Sequence, residues 1–143
     1  MTSAALPPLC LLVEDQPYTR DWMLGVLGSA FPGLDVATAG TLRAAHHWLD
    51  AHGTRLTLAL IDLGLPDGSG IDIVRRLARD FPKALPVVAT IYDDDAHLFD
   101  AIAAGAGGYV LKDEEADLLA AYLKRIEGGE PPLSPSIAHR MLA

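Results

Sequence analysis

The stretch TLALIDLGLPDGSG, residues 57–70, decides the fold. Leu58, Ala59, Leu60 and Ile61 are apolar without alternation, the pattern of a strand buried on both faces. Such strands belong to parallel sheets covered by helices on either side. The apolar run ends on a single carboxylate, Asp62, and a turn rich in Gly and Pro follows at once. In open parallel sheets, ligands and chemistry gather just beyond the carboxyl ends of the strands, which is where Asp62 falls. Gly64, Pro66, Gly68 and Gly70 let the backbone turn closely around it. A cap for the following helix would sit nearer Ser69 or Gly70, so Asp62 reads as a functional group rather than a cap.

The same pattern recurs on both sides. LCLLVED, residues 9–15, is a second buried strand ending in acids, Glu14 and Asp15. Pro17 suits the first turn of a helix, and Met23, Val26, Leu27, Ala30 and Phe31 give residues 17–31 a helical period. Pro32 and Gly33 stop it, and Leu34 to Ala39 is a short strand. Thr41 caps a helix running to about His52, with Leu42, Ala45 and Leu49 inward. Beyond the central strand, Ile71, Val74, Leu77, Ala78 and Phe81 mark a third helix. Asp72, Arg75, Arg76 and Arg79 fall on its outer side as a solvated face of mixed charge.

LPVVAT ends a fourth strand at Thr90, and Asp93, Asp94 and Asp95 open a fourth helix, where acids suit the positive end of the helix dipole. Gly105, Gly107 and Gly108 close it. GGYVLKD is a fifth strand ending at Lys112, and Asp113 is expected to cap a fifth helix built on Leu119, Tyr122, Leu123 and Ile126. Gly128 and Gly129 end that helix. Strands alternating with helices over short connections predict a doubly wound parallel α/β sheet. The tail EPPLSPSIAHRMLA, residues 130–143, reads as a linker with a short helix, Ser134 capping and Pro135 in first position.

With 143 residues, half of them hydrophobic, the chain suffices for one domain with a real core. The net charge of −8 argues against this domain gripping nucleic acid by itself. The single cysteine, Cys10, lies in an apolar run and reads as a buried, inert thiol. His46, His47 and His52 do not share one face at helical spacing, so they read as a solvated surface rather than a metal site. The opening MTSAALPP has no basic start or long apolar stretch, and no run approaches the ~20 apolar residues of a membrane span. A cytoplasmic location is expected.

Four strand ends thus carry polar groups in an otherwise apolar chain: Glu14 with Asp15, Asp62, Thr90 and Lys112. In a parallel sheet these ends face one way, so three carboxylates converge and repel unless a cation sits among them. Magnesium fits, since it takes oxygen ligands and keeps waters that a phosphate replaces. Lys112 supplies a mobile positive charge and Thr90 a hydroxyl. Together they suit a phosphoryl group in transfer.

On these residues the sequence resembles the receiver domain of bacterial two-component response regulators, over roughly residues 8–128. The resemblance implies a flavodoxin-like (βα)5 fold with strand order 2-1-3-4-5. It implies that Glu14 and Asp15 bind the metal, with the backbone carbonyl of Gly64 as a further ligand. It makes Asp62 the acceptor of a phosphoryl group from a partner histidine kinase. Thr90 becomes a switch hydroxyl, Lys112 its companion on the phosphoryl oxygens, and Tyr109 an aromatic that swings inward as the hydroxyl moves. Gly64 and Tyr92 take positions that gate the hydrolytic water. AGAGGYVLKD and the tail are similar to regulators of the NarL/LuxR type, in which a receiver precedes a four-helix DNA-binding effector. That similarity implies a receiver over residues 1–128 and, over 129–143, a linker toward an effector absent from this chain. It also implies pairing with a second copy after phosphorylation. A stand-alone relay or protein-interaction module is the alternative.

Ile91 departs from the resemblance, standing where a small residue is usual, and is expected to narrow access to Asp62. Rival chemistries fare worse. A phosphatase acting on metabolites through Asp62 would need a second acid two residues on, and that position is Gly64. A flavin site would need a phosphate-cradling first loop, whereas Glu14 and Asp15 repel phosphate.

Overall fold

The computed structural model describes residues 8–142. The reading of the opening segment falls almost wholly outside them. Five strands, β1 (Leu9–Val13), β2 (Asp35–Ala39), β3 (Leu58–Ile61), β4 (Leu85–Thr90) and β5 (Gly108–Leu111), form one sheet. All neighbours are parallel and the order is β2-β1-β3-β4-β5, as the resemblance implied. Every residue of β1, β3 and β5 is buried, which is why these strands read as continuous apolar runs. Alternate residues feed two cores. Leu12, Leu60, Val87 and Val110 meet helices α1 (Pro17–Ala30) and α5 (Ala116–Lys124) on one face. Leu11, Ala59, Ile61 and Val88 meet α2 (Leu42–His52), α3 (Ile71–Asp80) and α4 (Asp95–Ala104) on the other. Truncating a fully buried centre such as Leu60 to alanine would cost roughly 2–5 kcal/mol. Cys10 is fully buried, and burial pushes its thiol pKa up to about 12, so it is inert as expected.

The registers pair Val13 with Ile61, Ile61 with Val88, and Thr90 with Leu111. The strands therefore end at nearly one level. One further ladder bond follows at each key end: Glu14 N donates to Ala39 O, Asp62 N to Val13 O and Lys112 N to Thr90 O, all at 2.9–3.0 Å. The functional side chains thus hang from backbone fixed by the sheet, not from free loops.

Local details depart from the sequence reading in three places. Asp113 does not cap the fifth helix. The chain makes a turn at Lys112–Asp113, and the cap position of α5 is Glu115. Ser134 stands just before α6 (Pro135–Leu142), but its buried hydroxyl accepts from Leu111 N at 2.9 Å. Asp72, Arg75 and Arg79 are exposed as expected, but Arg76 turns toward α2 and leaves the solvated face. Its guanidinium donates to His46 O at 3.0 Å and Asp50 Oδ1 at 2.5 Å, and sits over the Phe81 ring. His46 is consequently half-buried, while His47 stays exposed and His52 stacks on Trp48. The cap at Thr41 forms as expected, accepting from Ala44 N, and of the three acids that open α4 it is Asp94 that caps, accepting from His97 N.

The segment after α5 returns along the outer edge of β5. Tyr109 N donates to Pro132 O at 2.9 Å, Ser134 N donates to Tyr109 O at 3.2 Å, and Leu133 bridges Tyr109 in parallel. Gly108 permits this approach: a Cβ there would lie 2.5 Å from the Pro132 ring and 2.8 Å from its carbonyl oxygen. Farther on, Ile137 is fully buried in the core beside α4, and Arg140 pairs with Asp95 at 2.6 Å.

Candidate functional site

Just beyond the carboxyl rim lies an open crevice of about 560 Å³, walled by Asp15, Asp62, Gly64, Ile91, Tyr92 and Lys112 and flanked by Tyr18 and Trp22 of α1. Glu14 follows β1 and is 3% exposed, whereas Asp15 stands at the crevice surface. Asp62 follows β3 at the centre of the sheet and is 8% exposed. Carboxylate oxygens of Glu14, Asp15 and Asp62 all lie within 4.8 Å of one another. The three acids expected at the strand ends are therefore brought together, and they come from two neighbouring strands.

Lys112 enters from β5, across β4. Its Nζ donates to Glu14 Oε1 at 2.8 Å and to Asp62 Oδ2 at 3.0 Å. The second Glu14 oxygen accepts from Gln16 N at 3.1 Å. Burial pushes the Glu14 carboxyl above the usual carboxylate range, an effect that the bond from Lys112 partly offsets. For Lys112 burial acts to lower the ammonium pKa, but hydrogen bonds to the two carboxylates and their charge outweigh it and hold the pKa above its ordinary value. The lysine is thus a fixed cation. Asp62 Oδ1 receives only a long contact from Gly64 N, 3.4 Å, and faces the crevice. Of the three acids, Asp62 combines a strand-end anchor, a lysine partner and an open face.

Thr90 and Tyr109 lie behind this front. Thr90 is fully buried, and its hydroxyl accepts from Tyr92 N at 3.3 Å. Tyr109 is 1% exposed and already points inward, donating to Tyr92 O at 2.6 Å. Burial raises its phenol pKa, so the hydroxyl keeps its proton and remains a donor. Tyr92 therefore links the two residues through its backbone, while its ring forms part of the crevice wall. Ile91 stands at the rim, 64% exposed.

Two contributors carry no signal in the sequence. Asp67 lies at the tip of a two-residue antiparallel ribbon, Gly64–Leu65 with Gly68–Ser69. Its carboxylate accepts from Leu42 N at 2.8 Å and Arg43 N at 3.0 Å, so the loop after Asp62 is tied to the start of α2. His97, on the first turn of α4, stacks on the Tyr92 ring. No local spacing signals either contact. Gly70 completes the loop, since any Cβ there would collide with the Asp62 carbonyl.

The fold and the rim together define a flavodoxin-like α/β domain with an acid cluster and a lysine at the topological switch point. The chain belongs to the response regulator receiver domain family, whose profile matches residues 10–124. It is 36% identical over 133 residues to the DNA-binding transcriptional activator DevR/DosR of Mycobacterium tuberculosis, covering 92% of this chain and 60% of the relative. It is 37% identical over 134 residues to a nitrate/nitrite response regulator protein homolog of Haemophilus influenzae, covering 92% and 62%. The chain thus spans about three-fifths of the length of these relatives. A crystal structure of a LuxR-family two-component response regulator from Aurantimonas superposes with a TM-score of 0.80 at 27% identity, covering 94% of both chains.

Proposed function

We propose that the chain is a phosphoacceptor whose acceptor atom is a carboxylate oxygen of Asp62. The oxygen attacks the phosphorus of a phosphohistidine on a sensor histidine kinase. The P–N bond breaks, the imidazole leaves with the electron pair, and an acyl phosphate forms on Asp62. The observation that carries this reading is Lys112 Nζ, 2.8 Å from Glu14 and 3.0 Å from Asp62 at the sheet's rim. An ammonium held there is positioned to meet the charge on the phosphoryl oxygens. The chemistry is this domain's own phosphotransfer and the later hydrolysis, not turnover of metabolites.

The donor set fits a hard divalent cation. Three carboxylates against one ammonium leave a local charge of −3 + 1 = −2, and all the available ligand atoms are oxygens. Glu14, Asp15, Asp62 and the Gly64 carbonyl would hold magnesium. When bound, magnesium supplies charge neutralisation of the phosphoryl oxygens. On the protein's side, Thr90 gives up its bond from Tyr92 N to reach the phosphoryl group by a charge-assisted hydrogen bond. Tyr109 is the aromatic beside that movement. The readout is a shift between two packings of α4, β5 and the segment beyond α5.

By analogy with a relative named as a DNA-binding transcriptional activator, the output is control of transcription through a DNA-binding effector outside this chain; pairing of two copies after phosphorylation and a cytoplasmic location belong to the same reading. No helix among the described residues is long and apolar enough to cross a membrane.

Incubation with acetyl phosphate and magnesium tests the reading. One phosphoryl group per chain is expected by intact mass, lost in Asp62→Asn and on chelation of the metal. Undiminished labelling of Asp62→Asn would move the acceptor elsewhere.

A further inference from the structure

The loop between β4 and α4 is organised around Tyr92. Its backbone is held at both ends, N–H to Thr90 Oγ1 and C=O from the Tyr109 hydroxyl. Its ring has no hydrogen-bonded anchor of that kind. The ring instead lies flat against the imidazole of His97, centroids 4.2 Å apart and planes 5° apart. The imidazole is fixed in turn by Asp94. His97 N donates to Asp94 Oδ2 at 3.2 Å, and His97 Nδ1 lies 2.7 Å from Oδ1. An ionised carboxylate only accepts, so Nδ1 carries the proton. The same carboxylate thus caps α4 and orients the ring that orients Tyr92. Across the crevice the Tyr92 hydroxyl overhangs Gly64, where it would lie 3.8 Å from an added Cβ. Gly64 is two residues beyond Asp62, and the Tyr92 ring, Gly64 and Asp62 all line the same crevice.

We propose that His97 is a positioning residue that, oriented by Asp94, stacks Tyr92 over the crevice and so slows hydrolysis of the acyl phosphate on Asp62. The inference rests on the phosphoacceptor reading. In the hydrolysis, a water oxygen attacks phosphorus and the bond to the Asp62 oxygen breaks. The Asp62 carboxylate leaves with the electron pair, inorganic phosphate departs, and the proton from water passes to solvent. Tyr92 reacts with none of these atoms. Its ring occupies space through which water reaches them, and His97 fixes how often the ring is there.

Two alternatives to a stack-based role are separable. A histidine needed only for folding would act wherever Tyr92 lies. A histidine acting through the Asp94 contact alone would not be replaced by another ring. The test follows phosphate loss from the labelled full chain after removal of acetyl phosphate, for wild type, His97→Ala, His97→Phe, Tyr92→Ala and the Tyr92→Ala/His97→Ala pair. Loss of one stacked pair is expected to speed hydrolysis about two- to tenfold in His97→Ala. His97→Phe should recover most of that change. His97→Ala should add nothing in the Tyr92→Ala background. An unchanged half-life in His97→Ala, no recovery with phenylalanine, or an equal acceleration without the Tyr92 ring would each overturn the inference while leaving the phosphoacceptor reading intact. A wild-type chain that takes no label on Asp62 would overturn both.

Discussion

The phenol of Tyr109 donates to the backbone carbonyl of Tyr92 at 2.6 Å, joining the middle of β5 to the loop that follows β4. The ring is buried beneath that loop, and the backbone N–H and C=O of Tyr109 are both taken by the segment running along the sheet edge. A single residue thus touches the loop of the crevice and the chain beyond α5.

Tyr109→Phe keeps the ring and removes only this bond. Tyr92 is partly exposed, so water can reach its freed carbonyl and the loss is moderate. We expect a destabilisation of about 1 kcal/mol, read as a lower urea midpoint with unchanged slope. The amide of Tyr92 should exchange faster, because the loop loses one of its two anchors. Unchanged stability and exchange would mean that the bond is not made in solution.

Ser134→Ala has a larger expected effect. The Ser134 hydroxyl is fully buried and is the acceptor for the buried N–H of Leu111. Without it that N–H is left without a partner away from water, at a cost of about 1–3 kcal/mol. Hydrogen exchange at Tyr109 and Leu111 should quicken, and proteases should cut between residues 129 and 135 sooner. Threonine, which keeps the hydroxyl, should retain most of the stability.

These contacts mark the boundary of what the sequence discloses. Glu14, Asp15, Asp62 and Lys112 were legible because each ends a buried apolar run, and a parallel sheet brings such ends to one rim. Thr41 was legible because caps act over three residues. The bond from Leu111 to Ser134 spans 23 positions and the cap of α2 by Asp67 spans 25. At such distances the partner is chosen by tertiary packing, which periodicity does not encode. Arg76 was misplaced for a related reason. It shares the outer side of α3 with exposed Asp72, Arg75 and Arg79, but its long side chain reaches across to α2 and Phe81. Asp113 has the sequence marks of a cap, an acid before an apolar helix, yet the turn at Lys112 needs those residues before α5 can begin.

The Asp67 carboxylate should confer a pH dependence on the start of α2. Its two bonds from Leu42 N and Arg43 N favour the ionised form, so its pKa lies below the ordinary aspartate value. The contribution is therefore complete above the unfolded-state pKa of about 3.9 and is lost as pH falls through the lower folded-state value. Asp67→Ala should be less stable than wild type at pH 7, and the gap between their urea midpoints should narrow below about pH 4. Asp67→Asn keeps one acceptor and should lie between them. A gap independent of pH would show that the charge on Asp67 contributes nothing.

Ile91 is expected to narrow the approach of a small donor to Asp62. The side chain stands on the crevice wall beside Tyr92 and is mostly in solvent. An exposed side chain changes rotamer in picoseconds to nanoseconds, so it obstructs by occupancy rather than as a fixed barrier. Ile91→Ala should therefore label faster with acetyl phosphate, by a modest factor of about two to five. A donor held by a protein partner arrives with its own contacts and can push the side chain aside, so labelling from a phosphorylated kinase should change less. Equal acetyl phosphate rates in Ile91→Ala and wild type would remove Ile91 from the approach path.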